Sequence, residues 1–237
     1  MIIACWSGPR NISTALMRSW SSRDDTFVID EPFYAYYLHK TKLKHPMFNE
    51  IINHYSCDYD KIVKNLLGKI PDEKKIYYQK HMAHHLIDLK KIEWIKKCEN
   101  CFLIRHPKEV IHSYTAKNNL NSIEELGFPQ QYAIIQLLKK ANKSFIVIES
   151  SELLENPKKV LMGWCKKIDI RFNSSMLNWE KGNHDNDGIW WKHWYDNVIK
   201  STGFQKNIKK DITIENKYDS IYNESMKYYS FLKEDKG

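Results

Sequence analysis

The sequence predicts an α/β fold with an open, mostly parallel sheet covered by helices on both faces. Two observations carry that expectation. Five short apolar runs of strand length, at 2–6, 26–29, 76–79, 101–104 and 144–148, are each stopped by turn or charged residues. Between them lie segments whose apolar residues repeat at helical spacing. Strands and helices alternating at this interval read as βαβ units around a parallel sheet.

The elements follow in order. The run 2–6 ends at Ser7-Gly8-Pro9 and reads as a buried strand entering a turn. Ala15, Leu16, Met17 and Trp20 then share a helical face over 13–22, with Ser13 or Asn11 available as a cap. The second strand, 26–29, ends at Asp30-Glu31-Pro32, and Pro32 suits the start of a helix reaching about Lys42. Residues 43–75 are polar and mixed, with one helix expected around 59–68. After the third strand, 76–79, a helix is expected over 84–97. The fourth strand, 101–104, stops at Arg105-His106-Pro107 and leads into a helix over 108–117. A helix over 130–142 precedes the fifth strand, and Pro157 opens a helix to about Lys167. Beyond about 175 the chain reads as helix and loop, rich in Trp and Tyr.

The chain has 237 residues, 42% of them hydrophobic and 13% aromatic, enough to build a sizeable core. No linker, repeat or low-complexity tract interrupts it, so one domain over 1–237 is the economical expectation. The net charge of +8 favours anionic partners, yet no dense basic run marks a nucleic-acid surface. No stretch approaches the ~20 apolar residues of a membrane span, and residues 1–6 are too short for a signal-peptide core. The expectation is a cytoplasmic protein with neither membrane nor nucleic acid as partner. The five cysteines form no disulfide framework, and Cys98-x-x-Cys101 lacks a second ligand pair for zinc, so no metal is expected.

In open α/β sheets, ligands bind at the carboxyl ends of the strands. The loop Gly8-Pro9-Arg10-Asn11-Ile12-Ser13-Thr14 lies there, between a strand and its helix. Helix N-terminal N–H groups favour an anion, Arg10 adds a permanent cation, and Ser13 and Thr14 add hydroxyl donors. The same residues also describe an ordinary capped turn. The loop is not the ATP-binding G-x-x-x-x-G-K-[ST] pattern, which would need Gly and Lys where Ser13 and Thr14 stand. A second cation, Arg105, leaves the fourth strand, with Ser113 two turns along the next helix. The two could converge on a second anion, or Arg105 could simply pair a neighbouring carboxylate.

Together these elements resemble the sulfotransferases that use 3′-phosphoadenosine-5′-phosphosulfate (PAPS). The family's 5′-phosphosulfate loop, roughly P-[KR]-S-G-[ST]-T, stands here as Pro9-Arg10-Asn11-Ile12-Ser13-Thr14. Its 3′-phosphate motif, an arginine at a strand end and a serine eight positions on, stands as Arg105 and Ser113. The run Phe145 to Pro157 looks like the family's fifth strand and following helix start. The resemblance covers about residues 1–45 and 76–170, closest to a bacterial sulfotransferase-like subgroup. It implies a three-layer, P-loop NTPase-like fold with five strands and a helical C-terminal region. It further implies a PAPS-dependent enzyme that releases 3′,5′-ADP, with Gly8 to Thr14, Arg105 and Ser113 as cofactor contacts. Two positions depart from the pattern. Ile12 replaces a glycine and, being branched, is expected to hold an ordinary helical conformation. Asn11 replaces a serine, exchanging a hydroxyl donor for an amide.

Sulfuryl transfer needs a deprotonated acceptor, in-line approach and stabilisation of the departing phosphate. Several sulfotransferase subgroups place a glutamate base after the second strand, which here is Glu31; a glutamate there would also suit a helix N-terminus. Lys80-His81 resembles the family's K-x-H segment, which implies that Lys80 donates to the leaving oxygen. His81 stands one position short of the expected spacing, and His84 or His85 could substitute if the segment turns. The family's late Arg-Lys-Gly loop has only Lys181-Gly182 as counterpart, and the aromatic segment 179–204 reads as core packing, with one ring free to stack on adenine. The expected acceptor is a small molecule carrying a hydroxyl or amine, and Phe33, Tyr34, Tyr36 and Tyr37 could line an aromatic pocket for it. A small-molecule kinase, a nucleic-acid-binding module and a nucleotide-binding fold without turnover are the alternatives. Nothing in the sequence fixes the oligomeric state.

Overall fold

The computed structural model describes residues 1–206 and 212–235. Strands β1 (Ile2–Ser7), β2 (Thr26–Asp30), β3 (Ile76–Met82), β4 (Glu99–Ile104) and β5 (Phe145–Glu149) form one sheet in the order β2-β3-β1-β4-β5. Every pairing is parallel. All five strands fall on the apolar runs. β3 runs three residues past its expected end because it is paired on both sides, with Lys80 opposite both Cys5 and Asp30. The charge that made Lys80 look like a strand end is met by Asp30 on the neighbouring strand. Lys80 and His81 therefore lie within the strand and point to opposite faces of the sheet.

Alternation along the strands feeds two cores. Ile3, Cys5, Tyr78, Cys101 and Leu103 face helices α1 (Ser13–Ser21) and α8 (Pro157–Lys167) through Leu16, Met17, Trp20, Leu161 and Trp164. Ala4, Trp6, Tyr77, Phe102 and Ile104 face the opposite layer. That layer holds α4 (Tyr59–Leu66), α5 (Pro107–Thr115), α6 (Phe128–Lys140) and α10 (Asp219–Glu234). Each fully buried large apolar side chain contributes about 1.5–3 kcal/mol. The result is the three-layer α/β fold the sequence predicted.

Local signals fix several helix starts. Pro107 and Pro157 stand in the first turns of α5 and α8, and Asn156 accepts the Lys159 N–H as the α8 cap. α2 (Tyr34–Thr41) follows Pro32 as expected, and α3 (Phe48–His54) occupies part of the stretch read as mixed. Short α7 (Ser150–Glu155) links β5 to α8, and the single turn α9 (Trp191–Trp194) lies in the aromatic segment before α10.

One expected helix is absent. Residues 84–97 are not a continuous helix but three 3-10 segments, Ala83–His85, Leu89–Lys91 and Glu93–Lys97. Asp88 bonds the Lys90 N–H in place of a helical carbonyl, and Leu86, Ile92, Trp94 and Ile95 all turn into one core. A continuous helix could not present all four to the same side. Among the described residues, no helix is long and apolar enough to cross a membrane.

Candidate active site

A cavity of about 600 Å³ opens at the carboxyl ends of the strands, lined on one side by Pro9 to Ala15, Arg105 and Ser113. The loop after β1 is built around Gly8, where a Cβ would meet the Leu126 carbonyl oxygen at 2.1 Å. Only glycine allows that approach. Arg10 and Ile12 both take positive φ, at 63° and 58°. The expected helical conformation of Ile12 is thus overturned. Ile12 is left-handed, as the glycine it replaces would be, at a cost of about 1–2 kcal/mol for a residue with a Cβ. The surrounding bonds hold it there. Asn11 Nδ2 donates to the Leu103 carbonyl at 3.1 Å, Ser150 Oγ to the Asn11 carbonyl at 3.2 Å, and Arg105 Nη1 to the Arg10 carbonyl at 2.9 Å. No side chain caps α1, so its first N–H groups face the cavity without a protein acceptor from Ser13 or Asn11.

Arg10 Nε donates to Ser113 Oγ at 2.9 Å, and Arg105 pairs Glu109 at 2.6 Å. Arg10, Arg105 and Ser113 therefore converge, as their order in the sequence suggested. Burial pulls the Arg10 guanidinium below its ordinary value, and the adjacent Arg105 charge adds to that. Two like charges held together beside an uncapped helix start make a surface whose chemistry suits an anion.

The opposite wall carries carboxylates. Glu31 follows β2 with φ of 40°, a third strained residue of this site. Its N–H extends the strand pairing to the Lys80 carbonyl at 2.9 Å. Lys80 Nζ donates to Asp30 Oδ1 at 2.7 Å, Glu31 Oε1 at 2.5 Å and the Tyr195 hydroxyl at 2.9 Å. Burial works against the Lys80 charge, but Asp30 and Glu31 together outweigh it and hold the ammonium well above its usual value. For Glu31, burial dominates and raises the carboxyl despite Lys80, with the Asp30 charge adding to the rise. Its side chain keeps 12% exposure toward the cavity.

The histidines separate. His81 is 1% exposed, stacks on Trp6 with centroids 4.3 Å apart and meets Gln79 Oε1 at 3.2 Å; it does not line the cavity. The turn at Ala83–His85 brings His84 and His85 to the wall instead. His85 Nε2 stands 4.0 Å from Glu31 Oε2 and its ring stacks between Tyr34 and Tyr37. Among the described residues no group of three or more His, Cys, Asp or Glu could hold a metal ion.

The family model of the sulfotransferase domain matches residues 1–235 of the chain. The chain belongs to the sulfotransferase family. Two Arabidopsis thaliana proteins, branched-chain-amino-acid aminotransferase-like proteins 1 and 2, are each 32% identical over 232 residues. Those residues are 98% of this chain but 41% of each relative, so the sulfotransferase spans about two fifths of their length. The sulfotransferase domain of the Synechococcus PCC 7002 olefin synthase superposes with a TM-score of 0.56 at 16% identity, covering 94% of this chain and 93% of that one. The sulfotransferase domain of the curacin biosynthetic pathway gives 0.54 at 15% identity, covering 98% and 97%. A sulfotransferase from Alicyclobacillus acidocaldarius gives 0.53 at 9% identity, covering 97% and 94%. At these identities the likeness is one of fold.

Reading the sulfotransferase sequence missed the C-terminal wall. Trp194 to Val198, Ser201 and Gly203 to Lys206 line the cavity, with the exposed pair Lys117–Asp196 at its side. Trp179 and Trp190 are core, as expected, but Trp194 faces the cavity. Buried Arg18 holds this wall down, donating to Asp187 at 2.5 Å and to the Gly182 carbonyl at 3.1 Å. The family-like Lys181-Gly182 thus contributes a carbonyl for Arg18. The dense tryptophans were the only available signal, and they read equally as packing.

Burial pushes His81 and His84 down to about 3, and His85 well below its usual value. The fold holds these rings neutral while the unfolded chain protonates them below 6.5. Their contribution is full above that pH and is lost as pH falls toward 3. Each adds about 1.4 kcal/mol per pH unit to the loss. His81→Phe should therefore flatten the fall in unfolding free energy, measured in urea between pH 7 and 5. Parallel pH curves for variant and parent would contradict this.

Proposed function

We propose that this protein transfers a sulfuryl group from PAPS to a hydroxyl or amine of a small-molecule acceptor. The observation that carries the reading is the convergence of Arg10, Arg105 and Ser113 at the uncapped start of α1, across one cavity from Glu31. A donor with two separate anionic groups fits it. The α1 start and its hydroxyls suit the 5′-phosphosulfate, and Arg105 with Ser113 suits the 3′-phosphate. A cavity of about 600 Å³ has room for a nucleotide and a small acceptor.

PAPS, when bound, supplies the sulfuryl group and is released as 3′,5′-ADP. Glu31 Oε takes the acceptor's O–H or N–H proton, so that the acceptor atom becomes the nucleophile. Arg10 and the α1 N–H groups balance the negative charge that grows on the departing phosphate. Lys80 keeps Glu31 oriented. Its three N–H groups are all engaged, so donation to the leaving oxygen requires exchange of one of those bonds. Tyr34, His45, His85 and Trp194 frame the acceptor end, and no membrane or nucleic-acid partner is needed.

The test is transfer itself. Protein incubated with ³⁵S-labelled PAPS and a panel of small alcohols, phenols and amines should release 3′,5′-ADP and a labelled acceptor. Transfer of phosphate from ATP to the same panel, with PAPS inert, would replace this reading with a kinase.

A further inference from the structure

We propose that Tyr195 is a positioning residue for the Glu31–Lys80 pair, its hydroxyl fixing Asp30 against Lys80 so that one Lys80 N–H is left for Glu31. The inference rests on the reading of Glu31 as general base. Donor counting carries it. Lys80 has three N–H groups and no acceptor, and Trp190 Nε1 has one N–H and no acceptor. Both point at the Tyr195 oxygen, at 2.9 and 3.2 Å. They occupy its two lone pairs. The hydroxyl proton is therefore committed to Asp30 Oδ2, at 2.5 Å. Tyr195 is 5% exposed, Asp30 5% and Lys80 1%, so these bonds lie almost wholly inside the protein.

Charge makes this arrangement consequential. One ammonium faces two carboxylates in a buried setting. Asp30 is further met by the Gly188 N–H at 3.0 Å, so uncharged donors carry part of its charge. Lys80 can then divide itself between Asp30 and Glu31. Without the hydroxyl, Asp30 loses its shortest bond and draws Lys80 closer. Glu31 loses attraction and, under burial and the Asp30 charge, holds its proton more tightly. The other groups facing Glu31 are His85, held neutral on the 3-10 turn, and Tyr34 from α2. Behind Asp30 lie Asp187 and Arg18, paired with each other. The Arg18 charge is met by Asp187, and the groups facing Glu31 include no second cation to replace Lys80. Tyr195 belongs to the wall that closes the cavity, so docking of that wall and the charge on Glu31 are coupled.

The test is a carbon-13 NMR titration of the full chain labelled at glutamate Cδ, with the Glu31 resonance assigned by its loss in Glu31→Gln. In Tyr195→Phe the Glu31 midpoint should rise by about one pH unit. Trp179→Phe removes the bond to Ser201 Oγ in the same wall and leaves the cluster intact, so its midpoint should match the parent. 3-Fluorotyrosine incorporated at Tyr195 keeps the shape and donates more strongly, and should lower the midpoint. An unmoved or lowered midpoint in folded Tyr195→Phe, or an unmoved or raised one with 3-fluorotyrosine, overturns the proposal. If Trp179→Phe shifts the midpoint as far as Tyr195→Phe, the effect is general loosening and the proposal also falls. The titration uses neither donor nor acceptor. Failure to bind 3′,5′-ADP would therefore count against the sulfotransferase reading alone, and an unmoved midpoint against Tyr195 alone.

Discussion

Glu31→Gln should lower turnover by about 10²- to 10⁴-fold while leaving 3′,5′-ADP affinity near that of the parent. The magnitude is that of a general base removed from the transition state. The amide keeps the shape and still accepts a Lys80 N–H, so the wall and the α1 loop stay in place. Because burial raises the Glu31 carboxyl, the acid limb of the parent's rate profile should lie above the ordinary glutamate value of 4.5. The sign follows from the role. A base works only when deprotonated, so activity appears as pH rises through the elevated value and is lost below it. Rates for parent and variant with PAPS and a responsive acceptor, from pH 5 to 9, check both points. Turnover retained in Glu31→Gln would move the base to another group, with His85, 4.0 Å from Glu31, as the candidate.

Arg18→Ala costs about 3–5 kcal/mol of folding stability, because it leaves Asp187 as a buried carboxylate without its cation. Both side chains of the pair are 1% exposed. At the size of this chain that is a fall in Tm of roughly 10 °C. Burial already pushes Asp187 up to about 6 despite Arg18. Without Arg18 that value rises further, so the penalty should shrink as pH falls toward 6 and be smallest at pH 5, where Asp187 carries a proton in both proteins. Arg18→Met with Asp187→Leu, which replaces the pair by apolar volume, should recover most of the loss. Thermal denaturation of the three proteins at pH 7.5 and pH 5 decides the matter. A single variant within about 1 kcal/mol of the parent would mean that water reaches the pair and that Arg18 does not hold the wall.

The parts of this molecule that depend on near neighbours in sequence were legible from it. Apolar runs gave all five strands, and Pro107 and Pro157 marked two helix starts, since strand periodicity and proline geometry act within a few residues. Motif spacing picked out Arg105, Ser113 and the loop Gly8 to Thr14 as neighbours, and the fold brings them to one cavity wall. What failed depends on distant partners. The β3 strand continues through Lys80 because Asp30, 50 positions away, meets its charge. Ile12 is left-handed because Asn11 and the Arg10 carbonyl are held by β4, Ser150 and Arg105, which no local propensity records. Tyr195 lies 115 positions from Lys80, in a segment whose aromatic density looks like core. The helix expected over 84–97 failed because Asp88 and one-sided burial of four apolar residues favour short 3-10 turns.

The central claim is that the loop after β1 and the arginine after β4 together hold a nucleotide with phosphates at both its 5′ and 3′ positions. Calorimetric titration with 3′,5′-ADP, with 5′-AMP and ATP as comparators and Arg105→Ala as a second protein, tests it most directly. The account predicts affinity of about micromolar for 3′,5′-ADP, much weaker binding of 5′-AMP and ATP, and collapse of the 3′,5′-ADP signal in folded Arg105→Ala. ATP binding as well as or better than 3′,5′-ADP, or no binding of either by the folded parent, would contradict it.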